Sequence, residues 1–251
     1  MDSVKQLDRG DGVALAYIHQ PGSGPTVVFC PGYNSDMAGS KATELAAFCA
    51  GHGHAFLRFD YSGHGASGGR FTDGTISIWL ADALAVIDHA TAGPIILVGS
   101  SMGGWISLLA ALARPDRVAG LIGIAAAPDF TENLMWEAMS FAERTTLTDI
   151  GKIIVHNPYG DPYPVTRALI EDGRYHLLLN APIALDCPIR LLHGQADAEV
   201  PWEIALRIAE RVTATDVRLT LIKDGDHRLS RPSDLTLLRD TLGTLLGQDG
   251  A

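Results

Sequence analysis

The sequence predicts a doubly wound α/β fold: a mostly parallel sheet with helices on both faces and one small helical insertion. Three observations predict it. Short β-rich runs alternate with segments of helical periodicity almost to the end of the chain. The central runs are near-continuously apolar, as strands buried on both faces must be, which implies parallel pairing through right-handed crossovers. One connection is far too long for a crossover helix and marks an insertion.

Strands are expected at 13–19, 26–30, 54–60, 94–99, 118–125, 188–193 and 217–222, with one more in the charged opening, turned by Arg9-Gly10-Asp11-Gly12. Ile76, Trp79, Leu80, Ala83, Leu84 and Ile87 recur at helical spacing, as do Leu235, Leu238, Leu242, Leu245 and Leu246, so each of these helices buries one stripe. Another helix is expected at 102–113. About sixty residues then separate the strand ending near Ala125 from the one starting at Pro188. Within them, 134–142 and 165–171 read as helical, split by Pro158, Pro162 and Pro164. Residues 129–181 are therefore expected to form a small helical lid on a core of 1–128 and 182–251, with a frayed tail at 247–251.

With 251 residues and 26.7 kDa, the chain suits one large domain with an insertion better than two domains. A composition 47% hydrophobic and only 19% charged can bury enough surface to fold, which excludes disordered and fibrous classes. The formal charge of −10 repels phosphate backbones and anionic lipid, so neither nucleic acid nor a membrane is expected as a partner. The longest uncharged apolar stretches, 102–113 and 118–128, fall short of the roughly 20 residues that cross a bilayer. The opening dozen residues hold no apolar run, so no signal peptide and a cytoplasmic location are expected. Cys30, Cys49 and Cys187 are an odd count without CxxC spacing, which points to reduced thiols rather than disulfides or zinc.

Gly-x-Ser-x-Gly occurs twice, as Gly99-Ser100-Ser101-Met102-Gly103 and Gly65-Ala66-Ser67-Gly68-Gly69. The first directly follows an apolar strand and opens a helix, the context a nucleophile elbow demands; the second opens no helix. Ser101 is thus the candidate nucleophile and Ser67 a turn serine. A serine hydroxyl needs a histidine base and an orienting acid from loops at the same sheet edge. His227 lies five residues beyond the last strand and Asp197 four beyond the preceding one, giving the order Ser, Asp, His. Glu199 and Asp129 compete with Asp197, whereas Asp224 and Asp226 read as shapers of the turn that aims His227. Two oxyanion donors are expected: the amide of Met102, which follows the nucleophile, and that of Tyr33 in Pro31-Gly32-Tyr33-Asn34.

These residues resemble the α/β-hydrolase family, and within it the mitochondrial branch of palmitoyl-protein thioesterases and mycophenolic-acid acyl-glucuronide esterases. The resemblance is carried by Pro31 to Met37, by Arg58 to Gly63, by Leu97 to Trp105, by Cys187 to Gly194 with Val200-Pro201-Trp202, and by Asp226-His227-Arg228. It covers nearly the whole chain and is weakest in the lid. It implies a cofactor-free serine hydrolase acting on a small-molecule ester or acyl thioester, S-acylated proteins included. The family's mitochondrial location is not carried over, because the sequence lacks a transit-peptide extension.

One hint about substrate comes from the chain itself. Beyond the initiator, the methionines Met37, Met102, Met135 and Met139 all fall near the expected site or lid. Thioethers line adaptable apolar pockets, so Met37, Phe130, Leu134, Met135, Trp136 and Met139 are candidate acyl-chain contacts, with ordinary lid packing as the alternative. Neither a metal-ligand cluster nor a phosphate-binding GxGxxG opening a helix occurs, so no metal or organic cofactor is expected. The rival functions are a lyase or perhydrolase on the same triad, and a slow-turnover receptor or pseudo-enzyme.

Overall fold

The computed structural model describes residues 3–156 and 162–247. Eight strands form one sheet: β1 (Lys5–Asp8), β2 (Ala14–Gln20), β3 (Ser23–Cys30), β4 (His54–Phe59), β5 (Ile95–Ser100), β6 (Val118–Ile124), β9 (Ile189–Gly194) and β10 (Val217–Ile222). Their order is β1-β2-β4-β3-β5-β6-β9-β10. β1 and β2 are antiparallel at one edge, and the other six strands run parallel. The expected opening strand is therefore present as β1, paired with β2 across the Arg9–Gly12 turn. Every parallel strand ends at the same side of the sheet, so the loops after β3, β5, β6, β9 and β10 converge there.

Both faces of the sheet are covered. α2 (Ile76–Ala90), α3 (Met102–Ala113) and α6 (Glu203–Arg211) pack on one face, and α1 (Ser40–His52) and α7 (Pro232–Leu245) on the other. α3 is buried along almost its whole length because it lies over the middle of the sheet, against β5 and β6. A helix apolar all round is stable only in such a position.

Between β6 and β9 the chain leaves the sheet, as expected, but its path is not purely helical. A π-helical turn, Thr131–Trp136, is followed by α4 (Phe141–Ile150), the antiparallel hairpin β7 (Lys152–Val155) and β8 (Tyr163–Thr166), and α5 (Arg167–Gly173). The helix expected over 134–142 does not form as one piece. Ser140 and Glu143 make a reciprocal capping box, Ser140 accepting from the Glu143 N–H while Glu143 accepts from the Ser140 N–H, and this starts a new helix at Phe141. Gly151, at φ 85°, ends that helix and turns the chain into the hairpin. Val165, expected in a helix, lies in β8 instead. Pro158 and the tail beyond 247 lie outside the described residues.

Gly194 closes β9 where the backbone of the loop after β10 crosses it, and a Cβ there would overlap the Gly225 carbonyl. Backbone cannot swing aside as a flexible side chain can. Gly194→Ala should cost at least about 1–3 kcal/mol in urea denaturation. Wild-type stability in that variant would show that the two loops do not depend on this close approach.

Candidate active site

β5 runs into α3 through Ser101, whose backbone sits at φ 55°, ψ −120°. That conformation is strained for a residue with a Cβ. It is held because the Ser101 N–H donates to the Ile124 carbonyl at 2.9 Å and the Ser101 carbonyl accepts from Ala127 at 3.1 Å. The flanking glycines are sterically required: a Cβ on Gly99 would overlap the Gly103 carbonyl, and one on Gly103 would overlap Cys30. The second Gly-x-Ser-x-Gly is different. Ser67 donates to the Asp60 carbonyl at 2.7 Å and accepts from the Ala16 N–H at 2.8 Å, so its hydroxyl is spent on tying a turn to β2.

Opposite Ser101 stands His227, in the loop after β10. Its Nε2 lies 3.1 Å from Ser101 Oγ and its Nδ1 2.8 Å from Asp197 Oδ2. Both loops are braced. Asp226 accepts from the Leu229 N–H at 3.0 Å, and Arg231 pairs with Asp224 at 2.8 Å and with Asp234 at 2.9 Å, so the two turn aspartates shape the histidine loop as expected. From α1, the Lys41 ammonium donates to the Arg228 carbonyl, and burial pushes that ammonium down to about 8. Lys41 gives no signal in the sequence, being one cation in a helix that the pattern does not single out.

The Asp197 side chain is fully buried. Burial alone would raise its carboxyl, but hydrogen bonds from His193 and His227, with the backbone of Val200, hold it well below the usual carboxylate range. Of its competitors, Asp129 is occupied elsewhere. Its two oxygens accept from Leu178 N–H at 2.8 Å and Leu179 N–H at 2.9 Å, fixing the segment before β9, and burial raises its carboxyl. Glu199 lines the cavity wall but does not hydrogen-bond to His227 among the described residues.

The Met102 amide opens α3 and the Tyr33 amide comes just after Gly32; neither has a hydrogen-bond partner among the described residues. A Cβ on Gly32 would lie 3.4 Å from Ser101 Cβ, which brings that loop directly against the serine. The Tyr33 ring is wedged between Phe71, Trp79, Phe130 and Tyr163, at centroid distances of 5.0 to 5.8 Å, and its hydroxyl donates to the Pro164 carbonyl at 3.3 Å. Burial pushes the phenol well above its ordinary value.

A cavity of about 650 Å³ opens over Ser101 and His227. Phe130, Leu134, Met135 and Met139 line it, joined by Ile153 and Val165 of the hairpin, and Asn34, Ser35, Ser40 and Ser230 are among its polar lining residues. Two expected contacts lie off it. Met37 is buried beneath, its N–H donating to Asp60 at 2.7 Å and its carbonyl accepting from Arg58 at 2.8 Å. Trp136 is sandwiched between Arg144 and Arg174, each guanidinium 4.9 Å from the ring, and so clamps the insertion together. No cluster of three or more His, Cys, Asp or Glu able to hold a metal occurs among the described residues. No helix among them is long and apolar enough to cross a membrane.

A family model described as serine aminopeptidase, S33, matches residues 23–168. Palmitoyl-protein thioesterase ABHD10, mitochondrial, is 41% identical over 246 residues in Homo sapiens, covering 97% of this chain and 80% of the relative. The Mus musculus protein of the same name is 40% identical over 97% of this chain and 82% of its own. The chain is an α/β hydrolase. The solved structure of mouse α/β hydrolase domain-containing protein 10 superposes on this α/β hydrolase with TM-score 0.91 at 39% identity, covering 99% of this chain and 100% of the other. The cytoplasmic expectation is corrected by the same relatives, which are named mitochondrial. That expectation rested on the composition of the opening residues, and a lack of apolar character there says nothing about an organelle.

Asp129→Asn would keep one acceptor and turn an amide NH₂ toward a backbone donor. It should cost about 1–3 kcal/mol in urea denaturation, without moving the pH–rate profile of the folded protein. A moved profile would return Asp129 to the site chemistry.

Proposed function

We propose that this α/β hydrolase cleaves carboxylic esters or thioesters through an acyl-enzyme, with Ser101 as nucleophile, His227 as general base and acid, and Asp197 as the orienting carboxylate. The observation that carries the proposal is the unbroken run of hydrogen bonds from Ser101 Oγ to His227 Nε2 at 3.1 Å and from His227 Nδ1 to Asp197 Oδ2 at 2.8 Å. In the first half-reaction Ser101 Oγ attacks the carbonyl carbon as its proton passes to His227 Nε2. The amides of Tyr33 and Met102 then receive the oxyanion, and preorganised donors there are worth several orders of magnitude. Collapse expels the alcohol or thiol, which takes its proton from His227. Water, deprotonated by His227, next attacks the acyl-enzyme; the carboxylic acid leaves and Ser101 recovers its proton. Asp197 stays ionised throughout and stabilises the imidazolium formed in each half.

Residues 129–181 act as a lid in this proposal, supplying an apolar wall for an acyl chain, while the polar lining residues from the core take the leaving group. Met139 and its neighbours support an acyl substrate, as does the thioesterase name of relatives about 40% identical. Acyl thioesters, S-acylated proteins among them, and acyl glucuronides are the proposed substrates.

Ser101→Ala should lower kcat by several orders of magnitude and abolish fluorophosphonate labelling without unfolding the protein, while Ser67→Ala keeps both. Exchange of these outcomes would move the nucleophile to Ser67. Met139→Ala should lower kcat/KM for decanoyl esters about 5- to 150-fold more than for acetyl esters, the equivalent of roughly 1–3 kcal/mol of lost burial. Trp136→Ala should lower the melting temperature first. Equal loss on both esters in the Met139 variant would leave the apolar wall without a part in acyl selection.

A further inference from the structure

We propose that His193 is a positioning residue for this reaction, a second histidine that grips the Asp197 carboxylate from the side opposite His227. Resting on the serine-hydrolase proposal above, it extends the site inward by one buried side chain. His193 lies in β9, is fully buried, and has its Nε2 3.0 Å from the Val200 carbonyl and 3.2 Å from Asp197 Oδ2. Both neighbours are acceptors only, so the ring proton belongs on Nε2. Nδ1 is buried without a partner among the described residues, which agrees with its being bare.

A ring that leaves one nitrogen unpaired in the core carries a desolvation cost that an apolar side chain would not. β9 buries Ile189, Leu191 and Leu192 together with two polar side chains, and as Arg190 is matched by Asp216, His193 needs a polar partner of its own. The contact with Asp197 supplies one. Asp197 Oδ1 accepts from the Glu199 and Val200 N–H groups, both at 2.9 Å, while Oδ2 accepts from His227 at 2.8 Å and has His193 Nε2 3.2 Å away. Three hydrogen bonds and the His193 contact together restrict the carboxylate's rotation. Because the same Nε2–H also faces the Val200 carbonyl, His193 ties the turn that carries the acid to the strand that precedes it.

The electrostatic effect has a definite sign. A donor on Oδ2 draws charge from the oxygen that faces His227, so the carboxylate stabilises the His227 imidazolium less than it would alone. Removing that donor should leave the carboxylate facing His227 with more charge on Oδ2 but less firmly held, so the acid limb rises while fewer molecules have the imidazole aimed at Ser101. The other charged groups around His227 are Arg228 and Glu199 on the cavity wall, Asp226 beside it in the chain, and Lys41 reaching across from α1. None of them touches Asp197 Oδ2.

The test uses the full chain with a p-nitrophenyl ester. In His193→Phe, kcat should fall roughly 10- to 100-fold, equivalent to about 1.4–2.8 kcal/mol of transition-state stabilisation, with KM little changed. The acid limb of kcat/KM should move upward by roughly half a pH unit. His193→Gln, whose amide can donate from nearly the same place, should restore both. A side chain that only fills space would lower the melting temperature of the phenylalanine variant and leave the acid limb in place, and that result overturns the proposal. Independently of any variant's folding, ¹⁵N-histidine NMR of the wild type should find His193 protonated at Nε2 and bare at Nδ1; the opposite tautomer overturns it too. Full activity in Ser101→Ala or His227→Ala would instead sink the serine-hydrolase proposal, while the His193 hydrogen bond would still be visible by NMR.

Discussion

The reversal at Ser101 is the constraint on which the remainder of the site depends. A strand from the middle of the sheet turns into a buried helix within one residue, and that residue sits at φ 55°. Strain of this kind costs on the order of 1–3 kcal/mol and persists only where the surroundings over-determine it. Here they do so from three sides. Gly99 and Gly103 let β5, α3 and the end of β3 come within contact, the Ile124 carbonyl holds the Ser101 amide, and the Ser101 carbonyl holds Ala127. Burial of α3 from Met102 to Ala111 supplies the stability that this arrangement draws on.

Parallel strands make the second requirement possible. Because β5, β9 and β10 all end at one edge, a serine, an acid and a histidine far apart in sequence need only short loops to meet. Short loops still have to be aimed, and each is aimed by its own polar contacts: Asp226 and Lys41 for His227, the Glu199 and Val200 amides for Asp197. The carboxylate is then held ionised while fully buried, which burial by itself would oppose. A buried charge is tolerable only when it is well compensated, and beside its three hydrogen bonds Asp197 has His193 Nε2 3.2 Å from Oδ2.

Features the sequence discloses and features it hides divide along the range of the interactions. The sheet strands are legible within a few residues because apolar runs and turn residues are local signals, and α3 is legible to the residue because its elbow and its apolar run are contiguous. Ser101 is told from Ser67 by the helix that only the first of them opens, again a local matter. The hairpin of β7 and β8 is hidden because each strand is four residues long and lies beside prolines that read only as breakers. Trp136 looks like a pocket aromatic until Arg144 and Arg174, from two other elements, close on it. His193 is hidden for the same reason: a histidine beside a strand-end glycine has no local mark that separates a packed ring from one bonded to a site carboxylate. Its spacing from Asp197 acquires meaning only once the turn between them is known.

The same long-range contacts decide how the insertion relates to the chemistry. Tyr33 contributes a backbone amide at the edge of the serine and, in the same residue, a ring locked among Phe71, Trp79, Phe130 and Tyr163. Phe130 and Tyr163 come from the insertion, Phe71 and Trp79 from the core, and the Tyr33 hydroxyl reaches the Pro164 carbonyl of β8. Aromatic contacts of this geometry contribute about 0.5–1.5 kcal/mol each beyond burial, so the insertion is fastened to the very loop that presents the amide. Any displacement of the hairpin is then felt at Tyr33. A flap that must swing widely to admit substrate would carry no such tie, because opening would drag the amide out of place; a wall that shapes a standing cavity gains from it. In the serine-hydrolase proposal, the fold therefore couples acyl-chain recognition to the geometry of the reacting carbonyl through one residue.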